Sequence, residues 1–292
     1  MFEGFTRNKL RANGVEINAL VKGDGPPLLL LHGYPQSHLI WHRVAPELAR
    51  HYTVVAPDLR GYGDSEKPKG LSDHSNYSKR EMARDQVEVM HLLGFESFYL
   101  CGHDRGGRVS HRLAVDHPNA VKRMMLLDIS PTLTMYEQTS MEFASAYWWW
   151  FFLIQPTPFP EAMVAAAPEI FLRKKIGWGY GGLSAFTAET YAAYLSHMSD
   201  PATMHAMCED YRAAASIDLE HDRADRVAGK KLTCPLHVIW GEHGVVNRCF
   251  KPVEDWRQVA SDVRGGTLPC GHYIPEEVPA ALLQEMRAFF RA

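Results

Sequence analysis

The stretch Phe98-Tyr-Leu-Cys-Gly-His-Asp-Arg-Gly-Gly-Arg108 constrains this chain more than any other. Its apolar start reads as a buried strand. The run breaks at Gly102, presents the acidic Asp104, and passes Gly106 and Gly107 into a helical pattern of Val109, Leu113 and Ala114. The form is small-x-nucleophile-x-small, a strand-to-helix turn so sharp that only small neighbours fit beside the central side chain. Ser is the usual occupant, and an Asp changes the chemistry. A Ser that attacked saturated carbon would end as a stable ether. A carboxylate ends as an ester, which water cleaves. Asp104 therefore points to alkyl halides or epoxides, not to esters or amides.

The flanking segments predict the scaffold. Val15–Val21 alternates as a half-buried strand and meets the turn signal Gly23-Asp-Gly-Pro26. Leu28–Leu31 is apolar throughout, as a strand covered on both faces must be. Thr53–Ala56 reads as another strand, and Val44–Leu48 and Lys79–Leu93 as helices, the second closed by Gly94. Met124–Leu127 is a further buried strand, and Leu236–Trp240 resumes the sheet. Strand, loop and helix in repetition imply an α/β fold with a mostly parallel, doubly wound sheet. From about Thr132 to Tyr211 strand-like runs stop and aromatics become dense. The expected organisation is a core of residues 1–131 and 212–292, with a helical cap of residues 132–211 inserted over the sheet edge. The longest apolar run, Ala144–Ile154, is far short of the ~20 residues a membrane helix needs, and is expected to form a buried aromatic lid helix.

Asp104, Asp128 and His272 follow the chain order nucleophile, acid, base. Asp128 ends a strand expected beside the elbow strand, at the edge where open α/β sheets bind ligands. Glu242, in the loop after Leu236–Trp240, is the rival acid. His272 follows a Gly beyond the last strand-like segment. It would activate water against an Asp104 ester, while the acid fixes its tautomer. The turn His32-Gly33-Tyr34 brings the Tyr34 amide close, and with the Arg105 amide it would form an oxyanion hole; the alternative is an ordinary strand-to-loop turn. Asp58 and Arg60 read as ligands of loop backbone.

With these residues in view, the chain resembles the haloacetate (fluoroacetate) dehalogenases of the α/β-hydrolase superfamily. The resemblance is carried by Leu29-Leu-Leu-His-Gly-Tyr-Pro-Gln36, Trp41-His-Arg-Val-Ala-Pro46, Gly102–Arg108, Leu127-Asp-Ile129 and Asp210-Tyr-Arg-Ala213. It implies the α/β-hydrolase fold and conversion of a small haloacid to glycolate and halide, with no metal and no organic cofactor. Arg105 and Arg108 would hold the substrate carboxylate with paired hydrogen bonds; the bare residues would equally serve to neutralise nearby carboxylates. The resemblance also implies a halide site on the cap, where Trp150 and Tyr211 match family positions. The third position carries Trp149 where defluorinating members have His. Indole has one donor and takes no proton, so chloride or bromide is expected to leave more readily than fluoride. The alternative role for Trp149 is cap packing alone. A homodimer is implied by the resemblance only.

Two other readings stay open. One is an epoxide hydrolase with the same Asp nucleophile and Tyr147 or Tyr211 as proton donor; Arg105 beside the nucleophile speaks against it. The other is a binding protein that has lost catalysis. The net charge of −3 and the lack of a basic run give no case for nucleic acid. Met1–Asn13 has no apolar stretch, so neither a signal peptide nor a membrane anchor is expected. Five irregularly spaced cysteines suit a reducing cytoplasm.

Overall fold

Leu28–Leu31 shows why the sheet is buried. Leu28 and Leu30 pack into one apolar layer and Leu29 and Leu31 into the other, because successive side chains of a strand point to opposite faces. The same division holds for Val54 and Val55, for Leu100 and Cys101, and for Leu126 and Leu127. A sheet walled by apolar layers on both faces results, with helices over it. The computed structural model describes residues 1–291.

The strands are β1 (Thr6–Ala12), β2 (Val15–Lys22), β3 (Pro27–Leu31), β4 (Thr53–Pro57), β5 (Phe98–His103), β6 (Val121–Leu127), β7 (Leu236–Gly241) and β8 (Val263–Leu268). They form one sheet in the order β1-β2-β4-β3-β5-β6-β7-β8. β1 pairs antiparallel with β2, and β2 with β4; every other pair is parallel. The carboxyl ends of β3, β5, β6, β7 and β8 thus open onto one edge, where ligands of such sheets bind. Asp104 follows β5 there, Asp128 follows β6 and His272 follows β8.

β1 does not follow from the sequence reading, which finds no apolar stretch in Met1–Asn13. It is an edge strand whose Arg7, Lys9 and Arg11 are exposed, so it lacks the buried alternation of an inner strand. Its turn, Asn13-Gly14, has φ of 48° and 78°, the left-handed pair a tight hairpin requires.

Between β6 and β7, residues 132–227 form no strand; the segment is a succession of helices. The apolar run Ala144–Ile154 is not one helix. It divides at Tyr147 into Met141–Ala146 and Trp148–Phe152. Trp149 and Trp150 are buried, whereas Trp148, Phe151 and Phe152 are half-buried. The helix Pro201–Ala214 runs across the boundary expected at residue 211.

The elbow depends on missing side chains. A Cβ on Gly106 would lie 2.4 Å from the carbonyl oxygens of both Leu31 and His32, and one on Gly102 would lie 2.3 Å from Ser110 Oγ. Gly106→Ala is expected to push the elbow helix (Arg105–Asp116) off β3 and to cost roughly 1–3 kcal/mol in urea unfolding, the usual range for overpacking. Wild-type stability in this variant would contradict the packing described.

Candidate active site

Asp104 is the N-cap of the elbow helix, with φ 49° and ψ −114°, a conformation that L residues rarely adopt. The bend lifts the carboxylate against the loop after β3. Gly33 is obligatory there, since a Cβ on it would sit 2.4 Å from Asp104 Cβ. The next amide, that of Tyr34, donates to Asp104 Oδ1 at 2.9 Å. The Arg105 amide, the other expected oxyanion donor, makes no hydrogen bond to this carboxylate. Asp104 is only 4% exposed. Burial pushes its carboxyl up, but the charges of His272, His103, Arg108 and Arg105 outweigh it and hold the group down to about 2.

Asp128, also at positive φ (53°), accepts from the Gly241 amide at 3.0 Å through Oδ1. Its Oδ2 lies 2.6 Å from His272 Nδ1, while His272 Nε2 stands 3.7 Å from Asp104 Oδ2. The imidazole therefore bridges the two carboxylates, with Nδ1 as the protonated nitrogen and Nε2 turned to Asp104. Glu242 is exposed and forms no ion pair with His272; its amide is tied to the Leu268 carbonyl at 2.9 Å. His103 Nε2 donates to the His272 carbonyl at 2.8 Å and steadies the loop that carries His272. Asp58 and Arg60 serve the loops as expected: Asp58 accepts from the amides of His38 and Asp64, and Arg60, paired with Asp85, donates to the Asn76 carbonyl at 2.9 Å.

Two guanidinium groups flank Asp104. Arg105 is fully buried and doubly bonded to Asp210, with Nε at 3.0 Å and Nη2 at 2.6 Å from the two carboxylate oxygens. Asp210 also accepts from Tyr62 Oη at 2.6 Å and pairs with Lys79. Arg108 Nη1 donates to Thr132 Oγ1 at 2.9 Å. Burial lowers the Arg108 pKa, and the neighbouring Arg105 charge adds to the effect. Among the described residues, one donor on each arginine, Nη1 of Arg105 and Nε of Arg108, is buried without a partner, as is Trp150 Nε1. Trp149 Nε1 instead donates to Tyr211 Oη at 3.1 Å. Arg105 lies over the Tyr211 ring at 4.2 Å and Arg108 over the Trp150 ring at 4.7 Å.

A cleft between the helical segment and the sheet edge leads to His272 and is walled by Tyr147, Trp149, Lys175, Tyr180 and His243. Two residues here escaped sequence reasoning. Asp210 lies in a recognised stretch without a role assigned to it. Lys175 looks like one more basic residue in the last turn of the helix Pro168–Ile176, where cations are common. Neither carries a local signal, because each acts on residues far away in sequence.

Residues 26–277 match the alpha/beta hydrolase fold family. A fluoroacetate dehalogenase from Burkholderia sp is 46% identical over 99% of this chain and 95% of its own length. A soluble epoxide hydrolase from Corynebacterium sp. (strain C12) is 33% identical over 98% of this chain and 97% of its own. A crystal structure from Nostoc sp PCC 7120, described as an alpha/beta hydrolase, matches with a TM-score of 0.96 and 53% identity, covering 99% of both chains.

Asp210 carries three partners in a buried site, so removing its charge strands Arg105 and leaves Lys79 with Asp218 alone. Asp210→Asn is expected to destabilise the protein by roughly 3–5 kcal/mol, the cost of breaking a buried pair from one side. Urea unfolding measures it, and a loss below about 1 kcal/mol would reject the latch between Pro201–Ala214 and the elbow helix.

Proposed function

The chain belongs to the α/β-hydrolase family, and on that footing we propose that it is a hydrolytic dehalogenase of small 2-haloacids. The observation that carries this reading is the pair of unpartnered guanidinium donors, Arg105 Nη1 and Arg108 Nε, buried beside an ionised Asp104. Buried donors left unpaired are costly, and a carboxylate bound between them satisfies both. The 46% identical relative named a fluoroacetate dehalogenase supports the same choice of substrate class.

In the first step Asp104 Oδ2 attacks the 2-carbon of the haloacetate. A C–O bond forms, the C–X bond breaks, and the halide leaves with the bonding electron pair toward Trp150 and Tyr211, with Trp149 hydrogen-bonded behind Tyr211. Asp104 Oδ1 stays on the Tyr34 amide, which bonds it at 2.9 Å and is positioned to hold the later oxyanion. In the second step His272 Nε2 takes a proton from water, and the hydroxide adds to Asp104 Cγ. Asp128 stabilises the imidazolium through Nδ1. The tetrahedral intermediate collapses, glycolate leaves with the proton returned by His272, and the regenerated Asp104 carboxyl loses its own proton to solvent. The 3.7 Å gap between His272 Nε2 and Asp104 Oδ2 is too long for a direct hydrogen bond and leaves the base free to take the water's proton.

Epoxide hydrolysis is the second reading. It is favoured by the 33% identical relative and by Tyr147 and Tyr211, both buried in the helical segment beside the site. Styrene oxide and chloroacetate in parallel separate the two. All five cysteines are free, which supports a reducing compartment such as the cytoplasm. The homodimer rests on family resemblance alone.

Three outcomes follow. His272→Ala treated with chloroacetate should trap a carboxymethyl ester on Asp104, visible as a peptide mass shift; an unmodified Asp104 after a halide burst would reject the covalent step. Asp104 reacts as the carboxylate, and its depressed pKa keeps it ionised down to about pH 2. The halide burst of the wild type, which reports the first step alone, should therefore be flat from pH 7 to pH 4, whereas a midpoint inside that window would contradict the assigned ionisation. Chloride release from chloroacetate should exceed fluoride release from fluoroacetate, because Trp149 stands where a His donor would; equal rates would overturn this ordering.

A further inference from the structure

Lys175 is a charged group beside the site that the reaction above does not use. It is 6% exposed, sits on the helix Pro168–Ile176 and lines the cleft. Among the described residues it has no carboxylate within ion-pairing distance. Its one hydrogen bond runs from Nζ to Tyr273 Oη at 2.7 Å. An ammonium so placed keeps its field for whatever lies beside it, and what lies beside it is an aromatic face: Nζ is 4.1 Å from the centre of the Trp149 ring.

This completes a pattern. Each of the three aromatic residues assigned to the departing halide carries a cation on its ring: Arg105 on Tyr211, Arg108 on Trp150 and Lys175 on Trp149. A cation over a π face draws electron density from the ring. The N–H or O–H at the ring edge then becomes a stronger hydrogen-bond donor. For Tyr211 and Trp150 the cations are the arginines that already face Asp104. For Trp149 the cation comes from a separate helix. The Trp149 donor is spent on Tyr211 Oη at 3.1 Å, which leaves the Tyr211 proton free to be given elsewhere. Donors in series polarise one another in a low dielectric.

We propose that Lys175 determines leaving-group specificity: its ammonium polarises Trp149, whose N–H polarises the Tyr211 hydroxyl toward the departing halide. The inference rests on the dehalogenase reading above. It assigns Trp149 an indirect part in halide release, one residue removed from the ion. Lys175 is thereby a positioning and polarising residue; it does not touch the reacting atoms. Its charge matters most for the halide that depends most on hydrogen bonding, in the order fluoride, chloride, bromide.

The groups facing Lys175 are the phenols of Tyr273 and Tyr34, the carboxylates of Asp104 and Asp128, and the imidazoles of His272 and His103. Burial brings its ammonium down to about 8 against the pull of Asp104 and Asp128. The charge is thus present at neutral pH and lost in mild alkali.

The test compares halide bursts from fluoro-, chloro- and bromoacetate in wild type, Lys175→Met and Lys175→Arg. The burst reports the first step alone, and ester hydrolysis is common to all three substrates. Lys175→Met should slow chloride release about tenfold and bromide release about threefold, fluoride suffering most, within the range a desolvated cation–π contact supplies. Lys175→Arg should keep the wild-type ratios. In wild type, the bromide-to-chloride ratio should rise as pH passes about 8, a readout that needs no variant to fold. Equal slowing of all three halides, an Arg variant as selective as the Met variant, or a pH-independent ratio would each overturn the role of Lys175. No halide from any substrate in wild type would instead overturn the dehalogenase reading beneath it.

Discussion

A carboxylate held ionised while almost fully buried is the constraint on which this structure turns. Moving such a charge out of water is costly unless other charges meet it. Asp104 is met by Arg105, Arg108 and His272, and its pKa falls where burial alone would raise it. These partners then need anchoring of their own. Arg105 is held by Asp210, which also takes Lys79 and Tyr62. His272 is held by Asp128, which is held in turn by the Gly241 amide. The site is therefore a chain of compensations that begins at one side chain and ends in the sheet and the helical segment. The same chain joins the two parts of the molecule, since Asp210 lies on Pro201–Ala214 and Arg105 on the elbow helix.

What the sequence made legible divides by distance. The elbow is a local steric problem, and its glycines announce it: Gly102 and Gly106 have no room for a Cβ. The continuous apolar strands are equally plain, since burial on both faces leaves no other composition. The acid was harder, because Asp128 and His272 lie 144 residues apart and Glu242 occupies a plausible loop. Only the sheet order, which brings the carboxyl ends of β6 and β8 to one edge, puts His272 on Asp128 rather than on Glu242. β1 escaped because an edge strand keeps its charged residues exposed. The aromatic run reads as one helix, yet its backbone turns at Tyr147 so that Trp149 and Trp150 face the site while Trp148 packs on Phe171. Asp210 and Lys175 were invisible for a related reason. Their work is done on side chains of other elements, and nothing in their neighbours' identity says so.

The arrangement also explains how one elbow can serve two chemistries within a family. On the proposed reading, the nucleophile, base and acid fix only that an alkyl ester forms and is cleaved. What enters is chosen by the groups around them. Here those groups are two guanidinium donors without partners and aromatic rings with cations on their faces. Such a surround favours an anionic substrate and an anionic leaving group over a neutral epoxide.

The covalent ester is the centre of this account, and oxygen labelling reads it most directly. In a single turnover of chloroacetate in water enriched in oxygen-18, glycolate should carry unlabelled oxygen drawn from Asp104, and the peptide containing Asp104 should gain the label. Labelled glycolate with an unlabelled Asp104 would mean that water attacks the substrate directly, and the account would fail.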